Sequence, residues 1–159
     1  MALGFLYGSG GGSPAPDVKK QYLYQNGEWF VGYDNAVNYT VWAGITAKAW
    51  TINSDNIYAS STSGSNQYPI IGTSSKVNLT NYSTLHVMAN VVAQRIEVWI
   101  LSTKDLTGTP AKYQTQSVTS GYVEMAVDVS ELNDSYYIAF CCSHGTGGAD
   151  CAIKKIWLT

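Results

Sequence analysis

Four stretches in the second half of the chain alternate with period two, and no other feature constrains the fold as tightly. In STLHVMANV, Leu85, Val87, Ala89 and Val91 fall on one face, with His86, Met88 and Asn90 on the other. In QRIEVWIL, Ile96, Val98 and Ile100 oppose Arg95, Glu97 and Trp99. In GYVEMAVDVS, Val123, Met125, Val127 and Val129 oppose Tyr122, Glu124, Ala126 and Asp128. In SYYIAFCC, Ile138, Phe140 and Cys142 oppose Tyr137, Ala139 and Cys141. Successive side chains of a strand leave opposite faces, so one apolar set per strand means antiparallel sheets with one side buried.

The first half adds turn chemistry. QYLYQNGEWFVG carries Asn26–Gly27 between aromatic runs, and Asn-Gly suits the positive φ angles of a two-residue hairpin turn. YTVWAGI, KAWTINSDNIYASS and QYPIIG read as further short strands, with STSGSN (61–66) as a polar loop between the last two. Helical periodicity is missing beyond about two turns. Roughly eight to ten strands separated by turns predict an all-β antiparallel sandwich or jelly roll. It would occupy residues 19–159, a length sufficient for one domain with its own core.

Residues 1–18 differ. MALGFLYGSGGGSPAP sets an apolar head against a Gly/Ser/Pro linker with little reason to fold alone. Leu3, Phe5, Leu6 and Tyr7 exposed on a free tail would be an aggregation liability, so the segment is expected to dock to a partner; an idle leader is the other reading. It lacks a basic n-region and its apolar part is short for a secretory signal, so ordinary export is not expected. No apolar run approaches the ~20 residues of a membrane-spanning helix.

Charge narrows the partners. Only 13% of residues are charged and the net charge is −2. Lys19–Lys20 and Lys154–Lys155 are the only adjacent basic pairs, too few to track a phosphate backbone, so nucleic acid is not expected. The three cysteines, Cys141, Cys142 and Cys151, are an odd number. Either they are small apolar core residues, or Cys141 or Cys142 faces Cys151 across a terminal hairpin. A zinc site built from these with His144 would require adjacent strand residues to point the same way, and no metal or cofactor is expected.

Catalysis finds little to work with. Ser143, His144 and Asp150 imitate a triad only in composition, because neighbours on a turning chain do not make its geometry. No nucleophile elbow, zinc-protease helix or phosphate-binding loop occurs. Glu97 and Glu124 lie on the non-core faces of their strands and would have to come within about 5–10 Å to hydrolyse a glycoside. The expectation is no enzyme, with a small β-sandwich glycoside hydrolase as the lesser alternative.

Binding is better supplied. The chain has twelve tyrosines, three phenylalanines and five tryptophans, more than a core of this size needs. Sugar rings stack their C–H faces on such side chains, and their hydroxyls bond to amides, carboxylates and guanidinium. A non-core face bearing Trp99, Arg95, Glu97, Tyr122 and Glu124 offers that mixture. Trp29, Tyr33, Trp42 and Trp50 are a second candidate binding set, but they alternate poorly and read first as core or loop anchors. The loops GYDN (32–35) and NSDN (53–56) are weak candidates for calcium.

Two stretches carry a resemblance. SSKVNLTNYSTLHVMANV (74–91) resembles the strand entry of jelly-roll modules of carbohydrate-binding type, and VDVSELNDSYYIAFCCSHGTGGADCAIKKIWLT (127–159) resembles their closing part; together they span about a third of the chain. The same phrases are similar to small structural or tail proteins of phages and prophages of gut Firmicutes. That resemblance implies a virion protein, its head docked to other virion proteins and its sandwich displayed outward. A bacterial surface polysaccharide would be the ligand and a homo-oligomer the usual assembly. The alternative is a stand-alone carbohydrate-binding module.

Overall fold

A computed structural model describes residues 19–36, 38–62, 66–143 and 148–159. The apolar head with Leu3, Phe5, Leu6 and Tyr7, its linker, and His144 lie outside the described residues. The strands in chain order are β1 (Gln21–Gln25), β2 (Glu28–Trp29), β3 (Tyr33–Asn35), β4 (Thr46–Lys48), β5 (Thr51–Ile52), β6 (Ile57–Ser61) and β7 (Gln67–Thr73). They continue with β8 (Val77–Asn78), β9 (Thr84–Ala93), β10 (Arg95–Leu101), β11 (Lys112–Ser117), β12 (Val123–Asp128), β13 (Ser135–Ser143) and β14 (Ala149–Leu158).

They form the expected sandwich. Sheet A runs β12-β9-β14-β1-β2, with β6 on β14 and β5 on β6. Sheet B runs β11-β10-β13-β7-β3, with β4 on β7 and β8 on β13. All ladders are antiparallel except β4–β7. The predicted hairpin is present: Gln25 pairs with Glu28, and Asn26 and Gly27 take φ of 52° and 80°.

The alternation predicts the inward faces. Leu85, Val87, Ala89, Val91, Ile96, Val98, Ile100, Met125, Val127, Ile138, Phe140 and Cys142 meet between the sheets with Leu23, Ile71 and Ile153. Fully burying each large aliphatic or aromatic side chain contributes about 1.5–3 kcal/mol. All three thiols are free and buried, Cys142 and Cys151 within this core. Burial pushes the Cys141 and Cys151 thiols well above their ordinary values.

A second apolar cluster lies outside sheet B. Tyr68, Ile70, Leu101, Ala139 and Cys141 face away from the main core and are covered by Tyr39, Val41, Ile45 and Leu106. The covering segment is tied down by backbone bonds: Thr40 N–H donates to Lys104 O at 2.8 Å and Leu106 N–H to Thr40 O at 3.0 Å. Tyr39 lies on Gly72 and donates its hydroxyl to Thr73 O at 3.1 Å. A Cβ at Gly72 would stand 2.8 Å from Tyr39 Cζ and 2.7 Å from Ile138 O, so only glycine lets the ring rest there.

Candidate functional site

The outward face of β10 carries Arg95, Glu97 and Trp99 at two-residue spacing, as the alternation requires. Trp99 pairs with Tyr113 of β11 on one side and with the small Ala139 of β13 on the other. Its ring meets Tyr113 edge-on at 4.6 Å between centroids. The covering segment turns at Trp42–Ile45, where Ile45 N–H donates to Trp42 O at 3.1 Å, and this turn swings Trp42 over the sheet. Trp42 meets Trp99 at 6.1 Å and Tyr68 at 5.8 Å, both edge-on. Trp42 is 41% exposed and Tyr113 43%, so both keep ring surface in solvent. The result is an open groove of about 580 Å³ lined by these rings with Ala43, Ile45, Arg95 and Glu97.

Glu97 is the polar centre of this groove and, at 3% exposure, the most buried charge in sheet B. Three donors converge on its carboxylate. Arg95 Nε donates to Oε1 at 2.8 Å, Trp99 Nε1 donates to Oε2 at 3.1 Å, and the Tyr68 hydroxyl donates to Oε2 as well. A buried carboxylate with such partners has little reason to leave, and it locks the indole and the guanidinium in one arrangement. Burial, with Cys141 and Glu97 alongside, pushes the Tyr68 phenol far above its usual range, and burial raises Tyr113 to about 12. The hydrogen bond to Glu97 raises Arg95 further, so the guanidinium stays charged.

The five residues expected to share one face are divided. Trp99, Arg95 and Glu97 come together on sheet B. Tyr122 and Glu124 belong to the edge of sheet A, because β12 pairs with β9 and turns Met125 and Val127 inward. Glu124 Oε1 accepts from His86 Nδ1 at 2.7 Å, and His86 stacks on Trp157 at 4.8 Å with Nε2 at 2.8 Å from Thr159 Oγ1. Both sheets and the core therefore separate Glu97 from Glu124, and they are no hydrolytic pair. Glu97 is also buried although it lies on the non-core face of its strand.

The first-half aromatics divide too. Trp50 is core, and Trp29 packs against it from partial exposure, stacked on Tyr33 at 5.3 Å. Trp42, expected as an anchor, instead walls the groove. Tyr113 and Tyr68 were not singled out in the sequence; KYQTQS shows no apolar face, and only the pairing of β11 with β10 reveals Tyr113. In the proposed calcium loops, Asp34 is engaged by Lys104, and Asn53 Nδ2 donates to Asn56 Oδ1 at 2.9 Å.

No family model matches the chain, and no curated protein matches it in sequence. Solved structures do match in fold. A variant of a family 29 carbohydrate-binding module superposes with a TM-score of 0.60 at 16% identity, covering 88% of this chain and 84% of that one. Another variant of that module, complexed with cellulohexaose, gives 0.60 at 15%, covering 88% and 89%. A third, complexed with mannohexaose, gives 0.57 at 16%, covering 88% and 90%. The fold is thus the sandwich of these modules, over nearly the whole of both chains.

Proposed function

We propose that this chain is a non-catalytic carbohydrate-binding module whose ligand lies in the sheet B groove. The observation that carries the reading is the frame of Trp42, Trp99 and Tyr113 around the fixed Arg95–Glu97 pair. The rings present apolar faces of pyranose size, and the guanidinium nitrogens not used by Glu97 are donors for ring hydroxyls. Complexes of structural neighbours with cellulohexaose and mannohexaose support a neutral β-linked hexose chain as the ligand class. Among the described residues Glu97 is the one carboxylate lining the groove, which favours binding over glycoside hydrolysis.

The virion role expected for the chain rests on the resemblance of the stretches 74–91 and 127–159 and on the head in residues 1–18, which lies outside the described residues. The neighbours are carbohydrate-binding modules by name, and this favours the stand-alone module over the virion component. Calorimetric titration with cellulohexaose and mannohexaose tests the reading. Trp42→Ala is expected to weaken binding about 10- to 30-fold, the range of a central aromatic contact, while leaving the melting temperature within about 2 °C. Unchanged affinity in Trp42→Ala and Trp99→Ala would refute it.

A further inference from the structure

Sheet A carries a second groove, on the face opposite the first. It has about 390 Å³ and is lined by Gln25, Asn26, Met88, Tyr122, Lys154 and Lys155. Its two lysines are there because of a local irregularity. Ile153 and Ile156 are both fully buried, so strict alternation would send Lys154 and Lys155 to opposite faces. The β14–β9 register slips between Ile153 and Lys155, and the extra residue turns both lysines outward.

Among the described residues no carboxylate lies within ion-pair distance of Lys154, Lys155 or Lys20. Their neighbours are aromatic: Lys154 Nζ is 5.6 Å from the centre of the Tyr122 ring. Lys20 and Lys155 both stand over Tyr22, at 5.2 and 4.8 Å, and both over Trp157, at 5.2 Å each. Two ammonium groups thus converge on the same pair of rings despite repelling each other. The nearby ammonium groups, Lys20 first and then Lys155, hold the Tyr22 phenol below its ordinary value. Glu124, the nearby acid on this face, is taken by His86.

We infer that this groove is a second saccharide site, for a sugar bearing an anionic group. The carboxylate, sulfate or phosphate ester would sit between the Lys154 and Lys155 ammoniums, with the ring against the half-open face of Tyr122. Gln25 and Asn26 supply amides at the groove wall for hydroxyls. A lysine is a point charge without the planar fork of arginine, so the site selects charge rather than the shape of the anion. A groove of this size with two lining cations fits one or two sugar residues and falls short of the row of cations that tracks a nucleic-acid backbone. The inference does not depend on the sheet B groove.

The test is calorimetric titration of the full chain with three hexamers: galacturonate, a sulfated glucose chain and neutral glucose. The acidic hexamers should bind at low ionic strength, weaken as salt rises, and lose at least 10-fold in Lys154→Ala/Lys155→Ala. The exposed single change Lys154→Gln, which disturbs no packing, should lose about 3-fold. Trp42→Ala should retain acidic binding while losing the neutral hexamer. Whichever acidic hexamer binds more tightly identifies the source of the anion. Failure of both to bind, or binding indifferent to the two lysine variants, would overturn the inference while leaving the sheet B reading intact.

Discussion

The two outer faces of this sandwich start from the same sequence rule and end differently. Each alternating strand buries one apolar set and sends its other residues outward, aromatic, polar or small. On sheet B a folded-back segment lays an apolar layer over the strands, and this layer buries Glu97. Its carboxylate then gathers the donors of Arg95, Trp99 and Tyr68, and the rings are left standing with open faces. On sheet A no comparable segment among the described residues covers β9, β12 and β14, and lysine stems fold over the rings instead, so Trp157 is only 7% exposed beneath Lys20 and Lys155. The difference teaches that a ring on a sheet face becomes a stacking platform when its polar neighbours are satisfied beneath it, and a cation rest when they are not.

Breaking the buried pair should have the largest effect. Glu97→Ala removes the buried acceptor on which Arg95, Trp99 and Tyr68 converge, and we expect a loss of about 3 kcal/mol, read from the denaturation midpoint, together with loss of cellulohexaose binding. A variant as stable as the wild type would mean that the carboxylate organises nothing.

Gly72→Ala attacks the same face from below. The added methyl would push Tyr39 off the sheet and loosen the segment carrying Trp42. About 2 kcal/mol of stability should go, and neutral-glycan affinity should fall with it, while the sheet A groove keeps its ligand. Loss of both binding activities would show that the faces are coupled through the core.

On sheet A, His86→Ala removes a stacked ring and two hydrogen bonds at partial exposure. The expected cost is about 1 kcal/mol with neutral-glycan binding untouched. A change in cellulohexaose affinity would contradict the separation of the faces.

The finest comparison is between two tyrosines. Tyr113 on sheet B is raised to about 12 by burial and then by Glu97, whereas Tyr22 on sheet A is lowered by Lys20 and Lys155. Because the folded Tyr113 favours its neutral form, the stability it contributes is whole below about pH 10 and is lost as pH rises towards 12. Absorbance titration should find Tyr22 ionising first, with Lys20→Met delaying it and Glu97→Gln advancing Tyr113. The reverse order would mean that the charge environments of the two faces have been misjudged.

Much of the fold was legible because alternation and turn chemistry are local. Asn26–Gly27 dictates its own hairpin, and Leu85 to Val91 declare their buried face without reference to any partner. The division of candidates was not legible for the same reason. Alternation says that Tyr122 and Trp99 both point outward, but the sheet each strand joins depends on pairing between distant segments. Trp42 stood only in the second candidate set, with an anchor reading preferred, because its position depends on a segment held by Thr40, Lys104 and Leu106 rather than on any periodic pattern. Lys154 and Lys155 drew notice only as an adjacent basic pair; the register slip that turns both outward is a property of the β14–β9 ladder.

The central claim is that the sheet B groove takes the sugar, and the indole N–H signals of the five tryptophans report on it directly. On titration with cellulohexaose, the Trp42 and Trp99 signals should shift together, with Trp50 in the core and Trp157 on sheet A unmoved. Shifts at Trp157 alone, or at none of the five under conditions where calorimetry shows binding, would contradict the account.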